Sequence, residues 1–341
     1  MLDSDNSFIS NNIDIYCCPK CGSDLAFEQE RFKCLVCHQG YEFENGIPSL
    51  FWSNDWDSSK DDVTDEMKSF YEKTPFPDYD EFDDAGSLTD KAKKGLFAKL
   101  LDDQIPFGSR VIECGCGTGQ LTNFLSIANR TVVGADLCAN SLKMANEFRE
   151  ANQLERAHFH QMNLFRPCFK PQSFDLVISN GVLHHTSDPY LAFQSISKLV
   201  KPNGYILIGL YHKYGRLTTD FRRIIFNLTK DKLRFLDRRA INQDISEAKR
   251  NSWYMDQYKN PHESKHTLGE VLHWLEDANF EFINSIPKTV PFKGTDESEQ
   301  LFEPTKLGSW FNRFLVGIGM VFAGHREGGF FVVIAKKRKE L

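Results

Sequence analysis

Between residues 89 and 210 the chain switches repeatedly between two patterns of apolar and polar positions. Stretches with apolar residues three or four apart predict helices over 89–101, 121–127, 141–152 and 189–199. Short continuous apolar runs predict strands over 110–114, 131–136, 157–162, 174–179 and 204–210. Such alternation is the pattern of a mainly parallel sheet with helices on both faces. After a basic, helical-looking insert over 211–262 the alternation resumes. A helix over 267–279 opens on a capping box, Thr267 with Glu270, and strands follow over 280–285 and 330–336, making seven in all. The most apolar stretch, 314–324, is too short to span a bilayer and suits a buried or interfacial helix.

Ahead of this α/β region, residues 1–52 are rich in Cys and short strand-like runs, and 53–88 are acidic and dotted with aromatics. The expected organisation is therefore an appendage over 1–52, an acidic linker or lid over 53–88, and the α/β domain over 89–341. A chain of 341 residues suits one large domain with a small addition, and no solenoid-length repeat is present. With 41% hydrophobic and 26% charged residues the composition is that of a globular protein with a core of normal size. Residues 1–16 hold three Asp and no Lys or Arg, so a basic targeting region is missing, and a cytoplasmic location without a membrane span is expected. The net charge of −6 is uneven: 53–84 carries twelve acids against three Lys, and 213–250 carries eleven bases against five acids. The simpler reading is two solvated, complementary surfaces; the sharper one makes the basic stretch a site for an anionic substrate.

The densest chemical signal is Val111-Ile-Glu-Cys-Gly-Cys-Gly-Thr-Gly119. An apolar strand runs through Glu113 into Gly115, Gly117 and Gly119. Glycines allow the sharp turn and close ligand approach of a nucleotide-binding strand–helix junction. Asp136 ends the next strand, where a carboxylate can bond a ribose diol, and Leu137 follows it. Asn163 and Leu164 follow the third strand, within reach of an adenine, and Asn180 follows the fourth at the same sheet edge. The rival, a dinucleotide site, needs G-x-G-x-x-G, but Gln120 stands in the sixth position here.

With VIECGCGTG, VVGAD, QMNLF, FDLVISNGVLHHTSDP and LVKPNGYILI in place, the chain resembles the class I methyltransferases, of the type 11 group that includes the ubiquinone-biosynthesis C-methyltransferases. The resemblance implies a Rossmann-like seven-stranded sheet and S-adenosylmethionine as cofactor. It implies that Glu113 anchors the glycine turn and the methionine moiety, that Asp136 binds the ribose hydroxyls, and that Asn163 stands where many relatives have an adenine-contacting Asp.

Methyl transfer from a sulfonium is mainly a matter of alignment, with a general base needed for hydroxyl or carbon-acid acceptors. His184 and His185, beyond the fourth strand, are the candidate catalytic residues. Asp188 before Pro189 reads as a helix N-cap. The insert, with Tyr211–Arg216, Tyr254–Tyr258 and Pro261–His266, is either a lid over the acceptor or a cap that only packs on the core. Tyr71, in an aromatic and proline-rich segment, is a candidate for an N-terminal lid.

Cys18, Cys21, Cys34 and Cys37 give C-x2-C-x12-C-x2-C, two knuckles that complete a closed tetrahedral thiolate set for a structural zinc. Cys17 and His38 are spare donors that leave the register open by one. Tyr41–Ile47 reads as a strand followed by an Asn-Gly turn. This segment resembles the ribbon fused to some ribosomal RNA methyltransferases and the small zinc subunit that activates eukaryotic ones, including Gly46–Leu50. Two functions are carried forward: methylation of a small-molecule biosynthetic intermediate held under the helical cap, or RNA methylation using the ribbon and the basic insert. The oligomeric state stays open.

Overall fold

The computed structural model describes residues 3–56, 62–77, 84–243, 246–327 and 329–339. Parts of the acidic stretch over 53–84, and Tyr79 of the aromatic segment, lie outside the described residues. Helix α1 (Asp3–Asn11) precedes a three-stranded antiparallel sheet of β1 (Leu25–Glu28), β2 (Arg31–Cys34) and β3 (Gly40–Tyr41). A hairpin of β4 (Phe43–Glu44) and β5 (Ile47–Pro48) follows. It turns through Asn45 and Gly46, both at positive φ, as an Asn-Gly hairpin requires.

Helices α2 (Thr64–Lys73), α3 (Ala85–Lys94) and α4 (Leu96–Gln104) lead into the main alternation. The helix expected over 89–101 is thus two. Asp84 and Ser87 form a capping box that starts α3 earlier, and Gly95 takes extended backbone angles that break the run. Next come β6 (Arg110–Cys114), α5 (Gln120–Ile127), β7 (Thr131–Asp136), α6 (Ala139–Ala151), β8 (Ala157–Gln161), β9 (Phe174–Asn180), α7 (Pro189–Ser197) and β10 (Val200–Tyr211). The insert contributes α8 (Leu217–Leu228), α9 (Glu247–Tyr254) and a π-helical turn, Met255–Lys259. The chain closes with α10 (Leu268–Asp277), β11 (Phe280–Ile286), α11 (Trp310–Glu327) and β12 (Phe330–Lys337).

The seven strands stand in the order β11-β12-β10-β9-β6-β7-β8. Neighbours from β10 to β8 run parallel, and β12 is antiparallel to both β10 and β11. Successive strand residues feed opposite faces, as the pleat dictates. Ile112, Val133, Val177 and Ile208 join one core with Phe193 of α7, Val271 of α10 and the N-terminal Tyr16 and Phe32. Val111, Val132, Leu176 and Leu207 join the other with Leu100, Leu101 and Phe124 from α4 and α5. Each such side chain contributes roughly 2 kcal/mol by leaving water, so covering both faces fixes the strand register.

The N-terminal sheet is therefore not a loose appendage. Tyr16 packs on Phe169 with ring centroids 5.0 Å apart, and its hydroxyl lies 2.8 Å from His160 Nε2. Asp5 of α1 meets Arg149 in a buried bidentate pair at 2.6 and 2.7 Å, and His158 Nδ1 at 2.9 Å. The insert has its own small core of Phe226, Ala240, Tyr254 and Tyr258.

Candidate active site

The chain leaves β6 towards β7 and β8 on one side, while β9 leads to β10 on the other. The carboxyl ends of β6 and β9 thus face a crevice, the place where open α/β sheets bind ligands. Gly115, Gly117 and Gly119 turn there, all at positive φ. At Gly117 the restriction is also steric: a Cβ would lie 2.5 Å from the carbonyl oxygen of Phe76. Only glycine lets the N-terminal segment come down on the turn, where the Thr118 hydroxyl also donates to the carbonyl of Pro77. Gly119, in the left-handed conformation, starts α5.

Asp136 is held by the turn it faces. Its carboxylate accepts from the backbone N–H of Gly117 at 2.8 Å and of Cys138 at 2.9 Å, leaving lone pairs towards the cavity. Burial pushes its pKa up, against those hydrogen bonds. Burial also pushes Glu113 up, to about 8, although the Thr122 hydroxyl donates to it at 2.6 Å; the nearby Asp136 charge adds to the rise. Glu113 is therefore largely protonated at neutral pH in the free protein.

A cavity of about 570 Å³ runs from this edge to the insert. Its sheet end is lined by Glu113, Gly115, Gly117, Asp136, Leu137, Asn163, Leu164 and Asn180. Gly119 is set back beneath, where a Cβ would strike Ala145 and Phe159. Asn180 Oδ1 is buried with no hydrogen-bond partner among the described residues. Asn163 differs from expectation. Its amide donates to the carbonyl of Trp52 and to Asn54 Oδ1, both at 2.9 Å, and its Oδ1 accepts from Phe165 N. Both amide hydrogens are spent on fastening the 52–54 segment, so an adenine would meet the residue's backbone and not a free carboxamide donor.

The two histidines separate. His185 lines the cavity, while His184 is fully buried behind it with neither ring nitrogen hydrogen-bonded among the described residues. His184 packs between His185 and Tyr211, at 4.2 and 4.3 Å between centroids. Burial holds it neutral, and with no route to the cavity it is corrected from catalytic candidate to packing residue. His185 Nδ1 lies 2.8 Å from the carbonyl oxygen of His262, which can only accept, so Nδ1 carries the proton and Nε2 the lone pair. Burial lowers its pKa and keeps it neutral, the form a general base needs.

The cap end is a network drawn from the candidate lid stretches, although the sequence does not single out Asp256 and Gln257 within them. Asp256 accepts from the Tyr71 hydroxyl at 2.9 Å and from Gln257 Nε2 at 2.9 Å. Gln257 also donates to the Tyr211 hydroxyl at 2.6 Å and accepts from Arg216 Nη1 at 2.7 Å. Arg216, fully buried, pairs with Glu263 at 2.6 Å and stacks 3.8 Å above the Tyr211 ring. Asp256 and Gln257 both line the cavity because the π-helical turn widens the helix there. Tyr254 and Tyr258, more conspicuous in the sequence, point into the cap's own core. On the other side Glu72 of α2 accepts from the backbone N–H of Ala139 and Asn140 and so caps α6, holding Tyr71 over the cavity.

The family model for a methyltransferase domain matches residues 112–208, the span from the β6 turn through β10. Over that span the chain carries a methyltransferase domain. An uncharacterized protein of Synechococcus is 27% identical over 51% of this chain and 48% of its own length. The ubiquinone biosynthesis O-methyltransferase of Haemophilus ducreyi is 29% identical over 31% of this chain and 47% of its own length. The chain thus spans about half the length of the curated relatives it matches. Among solved structures, an S-adenosylmethionine dependent methyltransferase from Mesorhizobium loti covers 72% of this chain and 100% of its own, at 16% identity and a TM-score of 0.45.

The methyltransferase domain's glycine cradle, its two carboxylates and the orphaned Asn180 oxygen fit a ligand carrying hydroxyls and an amine. In the N-terminal sheet the sulfurs of Cys18, Cys21, Cys34 and Cys37 all lie within 4.8 Å of one another. Pairs stand 3.5 Å and 3.7 Å apart, against about 3.8 Å for a tetrahedral tetrathiolate with metal–sulfur bonds near 2.3 Å. Backbone N–H groups of Val36 and Cys37 point at Cys34 Sγ, as in a thiolate knuckle. Cys17 Sγ instead lies 3.6 Å from the carbonyl oxygen of Pro167.

Proposed function

We propose that this protein transfers the methyl group of S-adenosylmethionine to a small-molecule biosynthetic intermediate held under the cap. The supporting observation is the continuity of one cavity from Asp136 and the glycine turn to His185 and Asp256. S-adenosylmethionine supplies an activated methyl on a sulfonium leaving group. In this reading Asp136 receives the ribose hydroxyls, and Glu113 and Asn180 receive the polar groups at the inner end. Leu137 and Leu164 give the apolar wall. Tyr71, Tyr211 and Gln257 orient the acceptor and exclude water. His185 Nε2 accepts the acceptor's proton, its tautomer set by His262. The ubiquinone biosynthesis O-methyltransferases that this chain resembles are in keeping with a small acceptor, and with oxygen as the atom methylated.

The RNA alternative has less behind it. Arg216, Arg222 and Arg223 of the basic insert pair with Glu263 and Asp237 inside the cap. In the same reading Cys18, Cys21, Cys34 and Cys37 hold one zinc, closed to substrate and structural. Calorimetric titration with S-adenosylmethionine and S-adenosylhomocysteine, with zinc assayed on the same sample, tests both parts. Micromolar binding and one zinc per chain, lost in Cys34→Ser, are expected; no binding of either compound sinks the methyltransferase reading.

A further inference from the structure

Two helices turn apolar stripes outward. On α8, Leu217, Phe221, Ile224 and Leu228 recur at four, three and four residues, one face of a helix, with Phe221 65% and Leu228 80% exposed. On α11, which packs against α8, Trp310, Phe311, Phe314, Leu315, Ile318 and Phe322 are exposed, Trp310 at 71% and Phe322 at 76%. These residues are not surplus core. The inward faces are already filled, by Phe226 under α8 and by Met320 under α11, and Gly317 of α11 sits tightly on His212 and Tyr214. Phe235, Leu236 and Ile241 extend the exposed apolar surface along the insert.

The charge around the stripes identifies what covers them. Three of the insert's acids are held in ion pairs, Asp220 with Lys265, Asp231 with Lys259 and Asp237 with Arg222, while Glu247 is exposed. Lys213, Lys230, Lys232 and Arg238 remain exposed beside the apolar stripes. A chain of net charge −6 thus places exposed Lys residues at both ends of the α8 stripe. A second copy of the same basic face would repel its twin, and RNA would leave the aromatic stripes in water. An apolar face with Lys and Arg around it is the composition of a helix lying in a membrane interface. No helix among the described residues is long and apolar enough to cross a membrane.

We infer that α8 and α11 dock the protein on a bilayer surface containing anionic lipid. The aromatic and aliphatic side chains enter the headgroup region, and the lysines meet the lipid phosphates. This surface is separate from the cavity, so the inference stands apart from the methyl-transfer reading.

The test is co-sedimentation of the full chain with vesicles of phosphatidylcholine alone and of phosphatidylcholine mixed with phosphatidylglycerol. Binding to the mixed vesicles, weaker on neutral ones and falling with salt, is expected. Phe221→Asp together with Phe322→Asp lowers it by roughly tenfold or more, as loss of two inserted rings requires. Circular dichroism and S-adenosylhomocysteine binding confirm that this variant is folded. Equal and weak retention on both vesicle types overturns the inference. So does a concentration-dependent dimer, seen by analytical ultracentrifugation, that the same double variant dissociates.

Discussion

The sheet end of the cavity comes from four strand ends and one turn, all within residues 113–180. The cap end draws Tyr71, His185, Tyr211, Asp256 and Gln257 from four separate stretches of chain. The first is built mostly of backbone: glycines at positive φ, amide N–H groups on Asp136, and strand termini fixed by the sheet register. The second is built of side chains that hold one another, with Arg216 at the centre. Backbone sites tolerate change around them but not within them; a side-chain network fails as a unit when one member is lost.

That contrast can be broken in a definite order. Arg216→Ala carries the largest expected effect, about 4 kcal/mol of lost stability, because it leaves the buried Glu263 carboxylate with only Arg223 at 3.1 Å. Thermal unfolding should show it, while S-adenosylhomocysteine affinity, a property of the sheet end, stays within about threefold. An equal loss of affinity would mean that the two ends are one cooperative unit. Asp136→Ala should do the reverse: about a hundredfold weaker cofactor binding, or ~3 kcal/mol, with the melting temperature nearly unchanged. Unaltered affinity would remove the ribose assignment.

His185→Gln should lower turnover by roughly a hundredfold with cofactor affinity preserved, and should abolish the acid limb of the pH–rate profile. Full turnover would make His185 another packing residue like His184. The smallest effect concerns Glu113, whose carboxyl has its pKa raised from 4.5 to about 8 in the folded protein. Below pH 4.5 both folded and unfolded chains carry the proton. As pH rises towards 8 the unfolded chain ionises first, so stability is lost across that window and levels off above it. Glu113→Gln should remove this decline, so that the ligand-free variant no longer loses stability between pH 5 and pH 8. A denaturant series at pH 5 and pH 8 measures it; parallel pH dependence in both proteins would place the raised carboxyl elsewhere.

Local rules carried much of this molecule. The helix and strand periods fixed the seven-stranded α/β sheet, since each strand needs only its own apolar run to be buried on both faces. The glycine turn, the Asn45-Gly46 hairpin and the Thr267 capping box were legible because each satisfies a constraint within a few residues. The four-cysteine spacing was legible for the same reason.

Contacts between distant segments were decided only by the tertiary structure. Nothing near Asn163 in the chain tells that Trp52 and Asn54 take its amide hydrogens. Of two adjacent histidines, one reaches the cavity and the other the core, a choice made by Tyr211 and the carbonyl of His262. The π-helical turn that presents Asp256 and Gln257 has no signature of its own, and the ion pairs of the insert's acids depend on partners up to 45 residues away. Periodicity records which residues must leave water; which groups meet once they have left depends on how the elements pack.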